Sequence, residues 1–135
     1  MYIAMCPKIK CFGKLAQVVL KSLRYLGFQI ALDDFGTGYS SLNYIHNYPI
    51  DSIKIDVTFV RNMLSKKTSE QVVLLIVQLA KLLNMKLIAE GVEDKSASEK
   101  LIEMGCHYIQ GYLYAKPNRV SEMIALINKR QVKSA

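Results

Sequence analysis

The sequence predicts an α/β fold: a parallel sheet of about four strands alternating with helices. Three observations predict it. Short apolar runs bounded by turn residues alternate with longer segments of helical spacing. The short runs, such as LIA at 87–89, are apolar throughout, as strands buried on both faces are. Each also carries a polar or charged residue at or near its C-terminal end.

LAQVVLKSLRYL, Leu15 to Leu26, has apolar residues at helical spacing and stops at Gly27, a good C-terminal cap. FQIAL, Phe28 to Leu32, reads as a buried strand that ends at Asp33. Ser40 to His46 has weak helical character, ended by Pro49. SIKID, Ser52 to Asp56, is the second strand, and Val57 to Leu64 a short helix. SEQVVLLIVQLAKLLN, Ser69 to Asn84, is the strongest helix, with Ser69 as its expected cap. KLIAEG, Lys86 to Gly91, is the third strand. Lys95 to Met104 is a helix stopped by Gly105. HYIQG, His107 to Gly111, is the fourth strand, and Val120 to Lys129 the last helix.

The bulk properties bound the function. A chain of 135 residues, 51% hydrophobic and 21% charged, is one globular domain. The net charge of +7 points to an anionic partner or to a solvated basic face. Tyrosines do not interleave with Lys and Arg in one patch, so no specific nucleic-acid binding is expected. Cys6, Cys11 and Cys106 are odd in number and widely spread, which argues against a secreted disulfide framework and against a zinc site. The longest apolar run, Val72 to Leu83, is too short to cross a bilayer, so no membrane partner is expected. The N-terminus lacks the pattern of a signal peptide, and the expected compartment is the cytoplasm.

The polar residues at the strand ends carry the chemistry. They are Asp33 and Asp34, then Lys54 and Asp56, then Glu90, then Gln110. In parallel α/β folds the C-terminal strand ends lie on one side, so these residues are expected to converge on one rim. Adjacent carboxylates suit a hard divalent cation such as Mg²⁺ or Mn²⁺. Glu90 can add a third carboxylate or act as a general base on water. Lys54 can hold a phosphate oxygen or orient a nucleophile, and Gln110 can bond a phosphate, a base or a water. The set fits metal-assisted phosphoester hydrolysis. The structural alternatives are a helix-capping Asp34 and a Lys54 that simply pairs with Asp33 or Glu90.

Four motifs in order then make a resemblance. DDFGTGYSSL at Asp33 to Leu42, IKID at Ile53 to Asp56, AEGVE at Ala89 to Glu93 and QGYLYAKP at Gln110 to Pro117 resemble the EAL family of cyclic di-GMP phosphodiesterases. The resemblance implies a TIM-type (β/α) barrel that uses Mg²⁺ or Mn²⁺ to cut cyclic di-GMP to linear pGpG. It implies that Asp33 and Asp34 are metal-site acids and that Lys54 lies beside the attacking water. Glu90 matches the glutamate assigned as base or further metal-site residue. Glu93 and Gln110 match residues that line the pocket, with Asp56 beside them in the IKID motif. Phe35 to Ser41 matches a loop that couples the active site to a dimer interface.

The match covers only the second half of such a domain, so the expected fold is a half barrel. The expected layout is a single truncated domain over 1–135, with a divergent segment at 1–13 and a family-like half barrel at 14–130. The Glu-x-Leu motif of the family's first strand and the second-strand Asn are absent, and residues 1 to 32 contain no Asp or Glu. These gaps imply a catalytically impaired module for nucleotide binding or protein interaction in cyclic di-GMP signalling. The alternative is half of an enzyme whose missing ligands come from another chain or a missing N-terminal segment. An exposed apolar inner face would be covered by homodimerisation. MYIAMC, Met1 to Cys6, is either a fifth edge strand or an unstructured terminus.

Overall fold

A computed structural model describes residues 2–5, 13–37 and 41–131. Five parallel strands form one sheet in sequence order: β1 (Tyr2–Met5), β2 (Gln29–Phe35), β3 (Ser52–Ile55), β4 (Lys86–Ala89) and β5 (Tyr108–Ile109). Every connection is a helical crossover, as parallel neighbours require. The helices are α1 (Lys14–Tyr25), α2 (Ser41–Asn47), α3 (Val57–Asn62), α4 (Lys67–Leu82), α5 (Lys95–Met104) and α6 (Val120–Gln131). The expected alternation holds, and Tyr2–Met5 adds the edge strand, paired along its length with Gln29–Leu32.

Local sequence sets the element ends. Asp56 caps α3, its carboxylate accepting from the Thr58 amide at 2.7 Å, and Asp94 caps α5 from the Ala97 amide at 2.7 Å. Gly27 and Gly105 end α1 and α5 with φ of 87° and 97°, conformations that cost a side-chain-bearing residue energy. One expectation is corrected: α4 starts at Lys67 and its N-cap is Lys66, with no side-chain cap, so Ser69 lies inside the first turn. The hydrophobic spacing located the helix body, while three further polar residues extend it by winding onto the same turn.

The core lies between the sheet and its helices. Leu32, Ile53, Ile55 and Ala89 join Val73, Ile76, Val77, Ala80 and Leu101 in one cluster of buried residues. Alternation along a strand sends every second side chain to the other face of the sheet. Ser52 and Lys54 therefore share a face opposite to Ile53 and Ile55, joined by Asp33 from β2 and by Lys86, Ile88 and Glu90 from β4 and its end. This face is predominantly polar, which corrects the expectation of an apolar inner face. Exposed apolar side chains lie on several helices, among them Leu15, Val18 and Val19 on α1, Leu74, Leu75 and Leu82 on α4, and Val120, Ile124 and Ile127 on α6, and on the sheet at Tyr108.

Candidate functional site

The strand ends bring four of the expected residues together. β2 presents Asp33 and Asp34, β3 presents Lys54, and Glu90 follows β4 directly. Neighbouring strand residues normally point to opposite faces, so adjacent acids need a device to act together. A register shift supplies it. Leu32 pairs with Ile53 and Phe35 with Ile55, so Asp33 and Asp34 together oppose the single residue Lys54. Asp34 takes the left-handed conformation, φ 49°, which turns its side chain out of the strand's alternation.

The result is a compact acidic group. One carboxylate oxygen each from Asp33, Asp34 and Glu90 lie within 4.8 Å of one another. The Lys54 ammonium donates to Asp33 Oδ1 at 3.0 Å and pairs with Glu90 Oε1 at 2.6 Å. Burial opposes the charge on Lys54, but the hydrogen bonds and charges of Glu90 and Asp33 outweigh it, and its pKa is raised above the ordinary lysine value. The side chain is therefore a fixed cation, and the ion-pair reading of Lys54 is realised alongside any functional one.

The group suits a divalent cation. Lys54 pairs with two of the three carboxylates, Asp33 and Glu90, and all three offer an oxygen to the same small space. Oxygens at about 2.1 Å from a Mg²⁺-sized ion are separated by roughly 3 to 4 Å, so carboxylate oxygens within 4.8 Å of one another need to close by about 2 Å at most.

The remaining expected residues take different places. Gln110 and Glu93 line a cavity of about 270 Å³ beside Glu90, together with Arg61, Gly111 and Tyr112. Gln110 is exposed there, and its backbone amide donates to the Ala89 carbonyl at 2.8 Å. The Glu93 carboxylate accepts from Arg61 at 2.5 Å. Asp56 is buried, and its carboxylate is engaged in capping α3. In the Phe35–Ser41 loop, the Thr37 hydroxyl donates to the Asp34 carbonyl at 2.9 Å. Positions 38–40 of that loop lie outside the described residues, as do Cys6 and Cys11.

Sequence reasoning missed Arg61 and Gly111. Arg61 is a basic residue near the end of a short helix, which gave no signal of its own. Gly111 lies against the Val92 backbone, which any Cβ at that position would strike. Its place in QGYLYAKP was legible, but the backbone contact that demands glycine was not.

The sequence profile of the EAL domain family matches residues 11–117. The chain belongs to the EAL family. The cyclic di-GMP phosphodiesterase PdeF of Escherichia coli is 44% identical over 104 residues, covering 77% of this chain and 14% of that protein. The EAL domain of Mycobacterium smegmatis DcpA superposes with a TM-score of 0.89 at 35% identity, over 95% of this chain and 58% of that one. The Klebsiella pneumoniae BlrP1 complex with manganese and cyclic di-GMP matches with a TM-score of 0.77 at 33% identity, over 86% of this chain and 30% of that one. The fold is thus part of a TIM-type barrel, and the chain spans little more than half of a solved EAL domain. No helix among the described residues is long and apolar enough to cross a membrane.

Proposed function

We propose that this EAL chain binds cyclic di-GMP and one Mg²⁺ or Mn²⁺ at the C-terminal strand ends, and that alone it hydrolyses the nucleotide to pGpG slowly or not at all. It then acts as a nucleotide-binding or protein-interaction module in cyclic di-GMP signalling. The observation that carries this reading is the convergence of Asp33, Asp34 and Glu90 around Lys54. A divalent cation held there supplies charge neutralisation at a phosphate. Lys54 places a second positive charge beside it, and Glu90 offers an oxygen that can take a proton from water. Gln110 and Tyr112 offer polar atoms and a ring to the nucleotide across the adjoining cavity.

The limit on catalysis follows from ligand number. Two metal ions in one site need more donors than three carboxylates, and residues 1–32 supply no acid. Calorimetry with Mn²⁺ is expected to give saturable cyclic di-GMP binding, with little or no pGpG formed. Turnover at the rate of a complete relative, abolished by Glu90→Ala, would overturn the impairment.

A second reading makes the chain half of a competent phosphodiesterase whose further ligands come from elsewhere. The 58% span of the DcpA domain favours it. Adding a polypeptide that carries the Glu-x-Leu half of a relative would then restore hydrolysis. Under the first reading the chain is a homodimer, joined through the free edges of β1 and β5 and the apolar stripes of α1 and α6. Light scattering reads the mass directly.

A further inference from the structure

Three segments wall the cavity beside the acidic group. The stretch after β4 brings Glu90 and Glu93, and the stretch after β5 brings Gln110 and Tyr112. The third wall is α3, through Arg61. Local sequence places it. Asp56 caps α3, and Val57, its first residue, lies so close to Gly91 that a Cβ at Gly91 would strike it. Positions i and i+4 share a helix face, so the face that meets Gly91 also carries Arg61. The Arg61 Nη2 group donates to Glu93 Oε1 at 2.5 Å.

We propose that Arg61 reads the base of the bound nucleotide, that Glu93 holds its guanidinium in position, and that the pair sets a preference for guanine over adenine. The inference rests on the cyclic di-GMP binding proposed above and adds the group that recognises the base. A cavity of about 270 Å³ is smaller than the roughly 300 to 1,000 Å³ of pockets that take a whole small ligand. It suits one base, with the rest of a dinucleotide left to lie at the strand ends.

The chemistry of the lining selects Arg61 for this role. A guanidinium carries five N–H donors in a planar fork, and Glu93 is its one partner among the described residues, so donors remain for a ligand. Guanine presents two neighbouring acceptors, O6 and N7, which such a fork meets with two parallel bonds. Adenine sets the N6 amino donor beside N7, so one arm of the fork meets a like group. The other lining groups do not discriminate in this way. The Tyr112 ring is more than half exposed, and a ring stacks either purine. The Gln110 amide holds both a donor and an acceptor and can turn to suit either. Glu90 is paired with Lys54.

A solvated surface pair would also account for the bond between Arg61 and Glu93, whose side chains are 59% and 49% exposed. It would give no base preference. An exposed pair is weak, so a base can share its groups without displacing a strong bond.

The test is calorimetry of the full chain in Mn²⁺ with cyclic di-GMP and with cyclic di-AMP. The two share one sugar–phosphate ring, so contacts to charge cancel in the ratio of their affinities. The parent is expected to prefer cyclic di-GMP by at least about tenfold. Arg61→Met is expected to bring that ratio near one by weakening cyclic di-GMP alone. Arg61→Lys, which keeps the charge and loses the fork, is expected to lose most of it. Glu93→Ala is expected to lower the ratio severalfold, and Glu93→Gln, which still accepts from Arg61, to lower it less. Thermal melting confirms that each variant folds. A ratio unchanged in Arg61→Met, equal weakening of both dinucleotides, or a full ratio in Arg61→Lys would each overturn the proposal while leaving cyclic di-GMP binding intact. A folded parent that binds no cyclic di-GMP would overturn the reading beneath it as well.

Discussion

Asp34 combines a chemical role with an unfavourable backbone. A left-handed conformation costs an L-residue about 1–2 kcal/mol, less for Asp than for branched residues. Asp34→Val is therefore expected to be at least about 1 kcal/mol less stable than Asp34→Gly in urea unfolding, although both remove the carboxylate. Lys54 is the present counter-charge for Asp33 and Glu90. Lys54→Met is expected to cost about 1–3 kcal/mol in chelator, because it leaves three carboxylates facing one another. Mn²⁺ is expected to recover much of that loss, read as a larger Tm gain than in the parent. Equal Tm gains would mean that the carboxylates do not take the ion. Cys106 behaves in the opposite chemical direction. Burial pushes its thiol up to about 11, while the unfolded chain titrates near 9.0. The protonated thiol is favoured by folding, so its contribution is complete below pH 9 and is lost as pH rises toward 11. About 2 to 3 kcal/mol is expected to disappear over that window, and Cys106→Ala should flatten the alkaline arm of the stability profile.

At the scale of elements, the loop after β4 and the loop after β5 are held together by backbone contact. The Val92 amide donates to the Gln110 carbonyl at 3.2 Å, and the Leu113 amide to the Val92 carbonyl at 3.1 Å. Gly111→Ala is expected to push these loops apart, cost at least about 2 kcal/mol and lower nucleotide affinity through Gln110. Chemical denaturation and calorimetry on the same variant separate the two effects. The alternation of strands and helices was legible because IALDDF, SIKI and KLIA are short apolar runs closed by polar residues. The four site residues Asp33, Asp34, Lys54 and Glu90 were legible for the same reason. Two things were not. Adjacent acids in a regular strand diverge, and nothing in ALDDF announces the register shift that aims both at Glu90. The polarity of the inner face was also hidden, because it depends on which alternate residues of SIKI and KLIA meet the helices.

Among the described residues, the five-stranded parallel sheet ends in two unpaired edges and is an incomplete enclosure. The DcpA comparison gives the scale of what would close it. α1 and α6 each carry exposed apolar side chains that a second copy could cover. Homodimerisation through these stripes predicts a specific dissociation. Val18→Glu with Val19→Glu, both exposed, should halve the mass seen by light scattering while the far-ultraviolet spectrum keeps its shape. An unchanged mass would move the interface elsewhere. The net charge of +7 belongs to the same scale. A basic molecule carrying one acidic hollow attracts anions broadly, so cyclic di-GMP association is expected to slow as salt screens that field.

The two-for-one pairing at Asp33 and Asp34 also governs how the chain length can change. Elsewhere in a buried strand, losing one residue exchanges the two faces of everything beyond it. Here Leu32 and Phe35 already sit opposite Ile53 and Ile55, with one residue to spare between them. Deleting either aspartate would bring the strand into plain register and keep both large side chains in the core. The one place in β2 that forgives a codon deletion is therefore the place where the chemistry is concentrated, and a chain so shortened would lose its acids' alignment without losing its fold.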